Sequence, residues 1–178
     1  MELLNFDNLT AVLEEYAQEV RNTYQDKLIT NDRISSGKLL NSVEYTVTKG
    51  DTEYVVSLTL EKYWKYLEYG VQGKNNTTSP YENPGWGAYP HILEWVKVKP
   101  VIPRPTKGRI PTPEGLAGAI TASIVKNGIE PGGEMKDAID EVNARYKDKM
   151  VIALRKDTQN IIKVLVGAIQ GSAPMPTY

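Results

Sequence analysis

The spacing of apolar residues changes period twice along this chain, and that limits its fold more than any other feature. From Leu9 the apolar positions recur every three or four residues, through Val12, Leu13, Tyr16, Val20, Tyr24 and Leu28. That spacing predicts an amphipathic helix. Glu14, Glu15, Glu19, Arg21, Gln25 and Lys27 fall mostly on its other face. Asp7 or Asn8 is placed to cap its start, and the turn formers Thr30-Asn31-Asp32 mark its end. In SSGKLLNSV, next along, Ser35 or Ser36 can cap a short helical turn. The period then becomes two. Val43, Tyr45 and Val47 alternate with polar residues, and after Lys49-Gly50-Asp51 so do Tyr54, Val56, Leu58 and Leu60, against Val55, Ser57 and Thr59. This predicts an antiparallel hairpin with one buried and one largely polar face.

Helical spacing returns in YWKYLEYG, where Tyr63, Tyr66 and Leu67 share a face expected to be buried and Gly70 is a natural C-cap. Residues 70–89 have no periodicity, and a loop that long is uncommon unless functional. PHILEWVKVK restarts a helix with Pro90 in its first turn, and its Trp95 is expected in the core. From Pro100 to Pro113 the chain holds five prolines, and Pro113-Glu114 opens a helix that Gly128 should close. The last helical pattern runs through Met135, Ile139, Val142, Tyr146, Met150, Ala153 and Leu154, then Ile161, Val164, Leu165 and Ile169. Asp157-Thr158-Gln159-Asn160 interrupts it, so one helix or two remain open. The expected class is α+β: a small antiparallel sheet packed with several helices, long irregular loops and a C-terminal helical extension. The expected organisation is a core over 1–133 with loops at 70–89 and 99–113, an extension over 134–171 and a tail over 172–178.

With 178 residues, 24% charged and 40% hydrophobic, the composition is that of an ordinary globular domain. A formal charge of −1 sets up no global field for nucleic acid or membrane. The absence of cysteine excludes disulfides, thiolate metal sites and cysteine nucleophiles. No apolar run is long enough to span a bilayer. MELLNFDNLT lacks a basic region followed by an apolar one, so a cytosolic location is expected.

The chain offers little catalytic chemistry. The single histidine, His91, lies one turn from Glu94, but one His and one Glu are an incomplete metal site. HExxH, GxSxG and GxxxxGK[ST] patterns are absent. The plainer reading of His91 is a helix-start residue, either exposed or bonded to a backbone carbonyl. Asp137, Asp140 and Glu141 share a helical turn, yet they alternate with Ile139 and Val142 as a solvated helix face does. No catalytic residue, cofactor or metal is expected.

Two segments have the character of contact surfaces. All three tryptophans and five of the eleven tyrosines fall between Tyr63 and Trp95. Within this stretch Trp86 and Tyr89 sit in GWGAYP, where no helical face is expected to hide their rings, so they are expected to anchor a partner. Between Lys97 and Arg109 there are five Lys or Arg and no acid. That basic, proline-rich arm is either a solvated linker or a grip for an acidic neighbour or DNA phosphate, with Arg104, Lys107 and Arg109 as its contacts. No aromatic residue interleaves with those charges, which weakens single-strand binding there.

Taken in order, SGKLLNSV, the hairpin, YWKYLEYG, a proline-containing loop, ILEWVK and LAGAITASIVKNGIEPG resemble bacteriophage head–tail joining and tail-completion (neck) proteins of the long-tailed phages. The resemblance runs from Leu9 to Ile139, and YWKYLEYG is similar to the family's signature of a tyrosine followed by hydrophobic-Glu-aromatic-Gly. It implies an α+β fold without catalytic activity. It also implies a homo-oligomeric ring, on the order of 6 or 12 copies, between a portal or adaptor protein and a tail protein. DNA in the lumen would be met without sequence specificity. Neither cofactor nor membrane is implied, and the location is the virion neck or tail, assembled in the host cytoplasm. By position, Tyr66, Glu68 and Gly70 are the signature residues, shaping with Tyr69 the turn into the loop, and Tyr69 is also expected to contact a neighbouring subunit. The chain departs from the family pattern in Gly132-Gly133-Glu134-Met135, where an aromatic is usual after Ile129-Glu130-Pro131, and in its long helix beyond Met135. A nucleic-acid-binding adaptor working through 97–109 is the second reading, and a hydrolase using His91 and Glu94 the third.

Overall fold

The computed structural model describes residues 6–34, 36–50, 53–99 and 111–171, with side chains to residue 167. In chain order the elements are α1 (Asp7–Thr30), α2 (Lys38–Ser42), β1 (Glu44–Lys49), β2 (Tyr54–Thr59), α3 (Trp64–Tyr69), a 3-10 turn (Gly85–Ala88), α4 (Tyr89–Val98), α5 (Pro113–Asn127) and α6 (Glu134–Gly171). The class is α+β, with six helices and one two-stranded antiparallel sheet among the described residues. Contacts divide the chain into two units. The first takes its described residues from Met1–Thr23, Tyr45–Leu58 and Ile139–Tyr178, the second from Tyr24–Glu44 and Thr59–Ala138. The first five residues of α6 therefore group with the second unit and the rest with the first.

In the first unit α1 and α6 run antiparallel. Ala17 and Val20 of α1, and Val142 and Ala153 of α6, are fully buried, as the three- and four-residue spacing requires. The rings of Tyr16 and Tyr146 meet edge to face at 5.9 Å, and the Tyr16 hydroxyl donates to Asn143 at 2.9 Å. Arg145 reaches across to Glu19 and to the Thr23 hydroxyl. The hairpin keeps its period-two burial, with Tyr54, Val56 and Leu58 half-buried and Val55 exposed. Gly50 N–H donates to Glu53 O at 2.8 Å across its turn, and the Thr10 hydroxyl bonds that of Tyr54.

The polar interruption at Asp157 does not break α6, which is one helix of 38 residues. Asp157 is buried and serves α1 instead. Its carboxylate accepts from the backbone N–H groups of Asn8 (3.2 Å) and Leu9 (2.8 Å) and from the Asn8 amide at 2.6 Å. The first N–H groups of a helix have no partner within it and carry its positive dipole end, so a carboxylate from another helix replaces a local cap. Burial alone would push the Asp157 carboxyl up, but the bonds from Asn8 and Leu9 outweigh it and hold it below the ordinary value of 3.8.

In the second unit Tyr24 and Leu28 of α1, Leu39, Val43, Val71, Val96, Ala117, Met135 and Ala138 make the core. Asp32, at φ 51°, lets the chain turn out of α1, and Arg33 N–H donates back to Leu28 O at 2.9 Å. Thr112 caps α5 by accepting from Gly115 N–H, and Gly128 closes it at φ 77°. Helix α2 departs from expectation at its start, where Gly37 in the left-handed region stands at the cap position without a side-chain cap. The Ser36 hydroxyl lies 3.4 Å from Lys38 N, and Ser35 lies outside the described residues. Burial pushes the Tyr24 phenol well above its ordinary value, and the nearby Glu68 and Glu134 carboxylates push it further.

Because the folded Asp157 carboxyl titrates below its unfolded value, its contribution is complete above about pH 4 and is lost as pH falls through the folded value. Asp157→Ala should cost about 1–2 kcal/mol at pH 7, as lost helix caps do. Denaturant unfolding of both proteins at pH 7 and near pH 2 should show the gap narrowing in acid.

Candidate functional site

Helix α3 is six residues long, and its inward position belongs to a carboxylate. Glu68 is only 5% exposed. Its Oε2 accepts from Met135 N–H at 2.8 Å and its Oε1 from Lys136 N–H at 2.9 Å, so it caps the start of α6. The main chain completes the join, with Gly132 N–H donating to Leu67 O at 2.8 Å and Gly133 N–H to Glu68 O at 3.2 Å. These bonds satisfy α3's last carbonyls and α6's first donors together. Beside them Glu134 is also buried, held by Arg33 Nε at 2.8 Å and the Asn31 amide at 3.3 Å.

With Glu68 inward, the rings of α3 turn outward. Tyr63, Tyr66 and Tyr69 are 41%, 40% and 46% exposed, so the expectation that Tyr63 and Tyr66 lie in the core is wrong. One turn and a half of helix has a single deeply buried position, and the capping carboxylate occupies it. The Tyr63 ring stands out while its hydroxyl accepts from Leu39 N–H at 3.1 Å. Tyr66 and Tyr69 both approach Tyr81, with centroids at 5.1 and 6.1 Å, and Trp64 approaches Tyr69 at 6.0 Å. Lys65 Nζ lies 5.2 Å from the Tyr66 ring centre and 5.1 Å from that of Tyr81, within cation–π range. The result is an aromatic surface fixed to a capped helix. Sequence reasoning missed Tyr81 because it sits in the loop without periodic neighbours.

Residues 70–84 are tied to the end of α5 and to Ile129 by hydrogen bonds. Val71 and Ile129 form an antiparallel bridge, with both N–H···O distances at 2.9 Å. Lys74 N–H donates to Val125 O at 3.2 Å and Asn75 N–H to Lys126 O at 2.9 Å. The Asn83 amide donates to Gln72 O and Ile124 O, and the buried Ser79 hydroxyl donates to Gly70 O at 2.8 Å. Close approach demands glycine here. A Cβ at Gly70 would lie 2.3 Å from Ile129 O, one at Gly73 2.1 Å from Gly128 N, and one at Gly128 2.2 Å from Val71 O. Gly70 and Gly128 also have positive φ, which suits no other residue as well.

Trp86 does stand out, at 61% exposed, on the 3-10 turn. Tyr89, expected in an irregular loop, is the half-buried first residue of α4. Trp95 is half-buried rather than core, with Lys99 Nζ 5.7 Å from its ring centre. An open cleft of about 400 Å³ beside Trp86 is lined by Lys74, Asn75, Ala122, Val125 and Lys126. Arg104, Lys107 and Arg109 lie outside the described residues. His91 and Glu94 are exposed on α4, and Asp137, Asp140 and Glu141 occupy the exposed face of α6. Among the described residues no group of three or more His, Cys, Asp or Glu is placed to hold a metal ion. No described helix is long and apolar enough to cross a membrane.

No protein-family profile, curated protein or solved structure matches this chain.

The geometry separates scaffold from surface, and mutation should do the same. Gly70→Ala should destabilise by on the order of 3 kcal/mol or more, from the backbone clash and the left-handed φ together. Arg33→Met leaves the buried Glu134 without its cation and should cost about 3 kcal/mol. Tyr66→Ala and Tyr69→Ala should each stay within about 1 kcal/mol of the parent. Urea unfolding of the four variants checks the order.

Proposed function

We propose that this chain is a non-catalytic structural subunit that forms a ring joining a phage portal to its tail. The observation that carries this reading is α3, whose signature stretch YWKYLEYG resembles that of phage neck proteins. Its Glu68 and Gly70 belong to the scaffold, while Tyr63, Tyr66 and Tyr69 face outward. Tyrosine and tryptophan rings fixed on a capped helix lose little entropy when a partner covers them, which is how interface anchors work. A ring needs heterologous contacts, one surface binding a different surface on the next copy. The aromatic face of α3 with Tyr81 is the first of these surfaces. On this reading the subunit sits in the virion neck or tail and meets copies of itself, the portal or an adaptor, and a tail protein.

Light scattering and negative-stain electron microscopy of the purified protein, alone and mixed with portal or tail proteins, test the proposal. Rings are expected, and the double variant Tyr66→Ala/Tyr69→Ala should remain folded but lose at least about tenfold in assembly affinity, as hot-spot pairs do. A protein that stays monomeric in every mixture overturns the reading.

A further inference from the structure

The fold brings together at Trp86 what no segment of the chain contains by itself. Lys74 and Asn75 come from the loop after α3, Trp86 from the 3-10 turn, and Ala122, Val125 and Lys126 from the last turns of α5. Backbone bonds from Lys74 to Val125 O and from Asn75 to Lys126 O set the two lysine-bearing segments side by side. The Asn83 amide, bonded to Ile124 O, ties the stretch just before the 3-10 turn to α5, and its Oδ1 accepts from Gly85 N–H at 2.7 Å. The Trp86 indole is therefore held beside the cleft on a turn that is itself anchored. Gly85 and Gly87 flank it with open space where a Cβ would point, so the ring is approachable from solvent. Neither Lys74 nor Lys126 forms an ion pair with a described residue. The Asn75 amide donates to Asn127 Oδ1 at 3.3 Å, which leaves its own carbonyl free to accept.

We propose that this cleft binds single-stranded nucleic acid, one nucleotide at a time. A base stacks on Trp86 over the Ala122–Val125 floor, the flanking phosphates meet Lys74 and Lys126, and the Asn75 carbonyl faces the base edge. Stacking on an exposed ring beside a cationic track is how single strands are held without sequence preference. A volume of about 400 Å³ is enough to take a nucleotide unit. The cleft is open rather than enclosing, so it gives a free nucleotide few walls. Duplex DNA keeps its bases stacked inward and offers Trp86 nothing to stack on. This site is separate from the tyrosine face of α3 invoked for ring assembly.

The test is fluorescence anisotropy of a labelled oligothymidylate with the full chain across a salt series. Saturable binding is expected, with a log–log salt slope near −1.4 if two phosphates are neutralised. Trp86→Ala should weaken it by about 5- to 150-fold, and Trp86→Phe should retain most of it. Lys74→Gln/Lys126→Gln should flatten the salt slope. Trp86 is largely exposed, so its variants should fold as the parent does. Thymidine monophosphate, inorganic phosphate, duplex DNA and a poly-glutamate peptide are the competitors, and each should displace the oligonucleotide poorly. Several outcomes overturn the proposal: no binding at low salt, equal competition by poly-glutamate or by the mononucleotide, or full affinity in Trp86→Ala. Binding lost only when Arg104, Lys107 and Arg109 are neutralised overturns it too, by moving the contact to the proline-rich segment. Ring assembly read on the same samples keeps the two ideas apart. Trp86→Ala should still assemble, and Tyr66→Ala/Tyr69→Ala should still bind the oligonucleotide.

Discussion

The carboxylate of Glu68 at the start of α6 is the contact on which the second unit's arrangement depends. A helix N-terminus presents unpaired N–H groups and a partial positive charge, and when buried it must find acceptors. Glu68 supplies two from a different helix, and the main chain of Leu67 and Glu68 accepts from Gly132 and Gly133. Committing the inward position of α3 to a charge leaves its tyrosines no interior to occupy. The aromatic surface is thus a consequence of the cap.

The glycine crossing has the same character. Gly70 and Gly73 on one segment and Gly128 on the other let two backbones approach to distances that a Cβ would block. That approach permits the Val71–Ile129 bridge and the Lys74 and Asn75 bonds to the end of α5. Without them the loop after α3 would be the free arm its composition suggests. With them it becomes one wall of a cleft. Scaffold and surface are therefore coupled through main-chain hydrogen bonds, and the side chains that meet solvent are placed by backbone that does not.

Much of the local structure was legible because it depends on neighbours a few residues apart. The three- and four-residue spacing from Leu9 to Leu28 appears as α1, the alternation from Val43 to Leu60 as the hairpin, and Gly70 and Gly128 as the ends of α3 and α5. The misreadings share one cause. Apolar spacing predicts Tyr63 and Tyr66 inside, yet on α3 a distant helix start decides the buried face. Asp157 read as an interruption for the same reason, since the helix it serves begins at the other end of the chain. Tyr81, Lys74 and Lys126 acquire their particular meaning only from a ring or cation contributed by another segment.

By itself the sequence determined the class of fold, the order of its elements and the glycine ends of α3 and α5, all of which follow from periodicity and local turn chemistry. The tertiary structure alone decided which polar residues are buried, which aromatics face solvent and which side chains share a cleft. The physical reason is that a buried carboxylate needs donors, and an exposed ring needs a scaffold. For Glu68, Asp157 and Trp86 those partners come from segments far away in the chain.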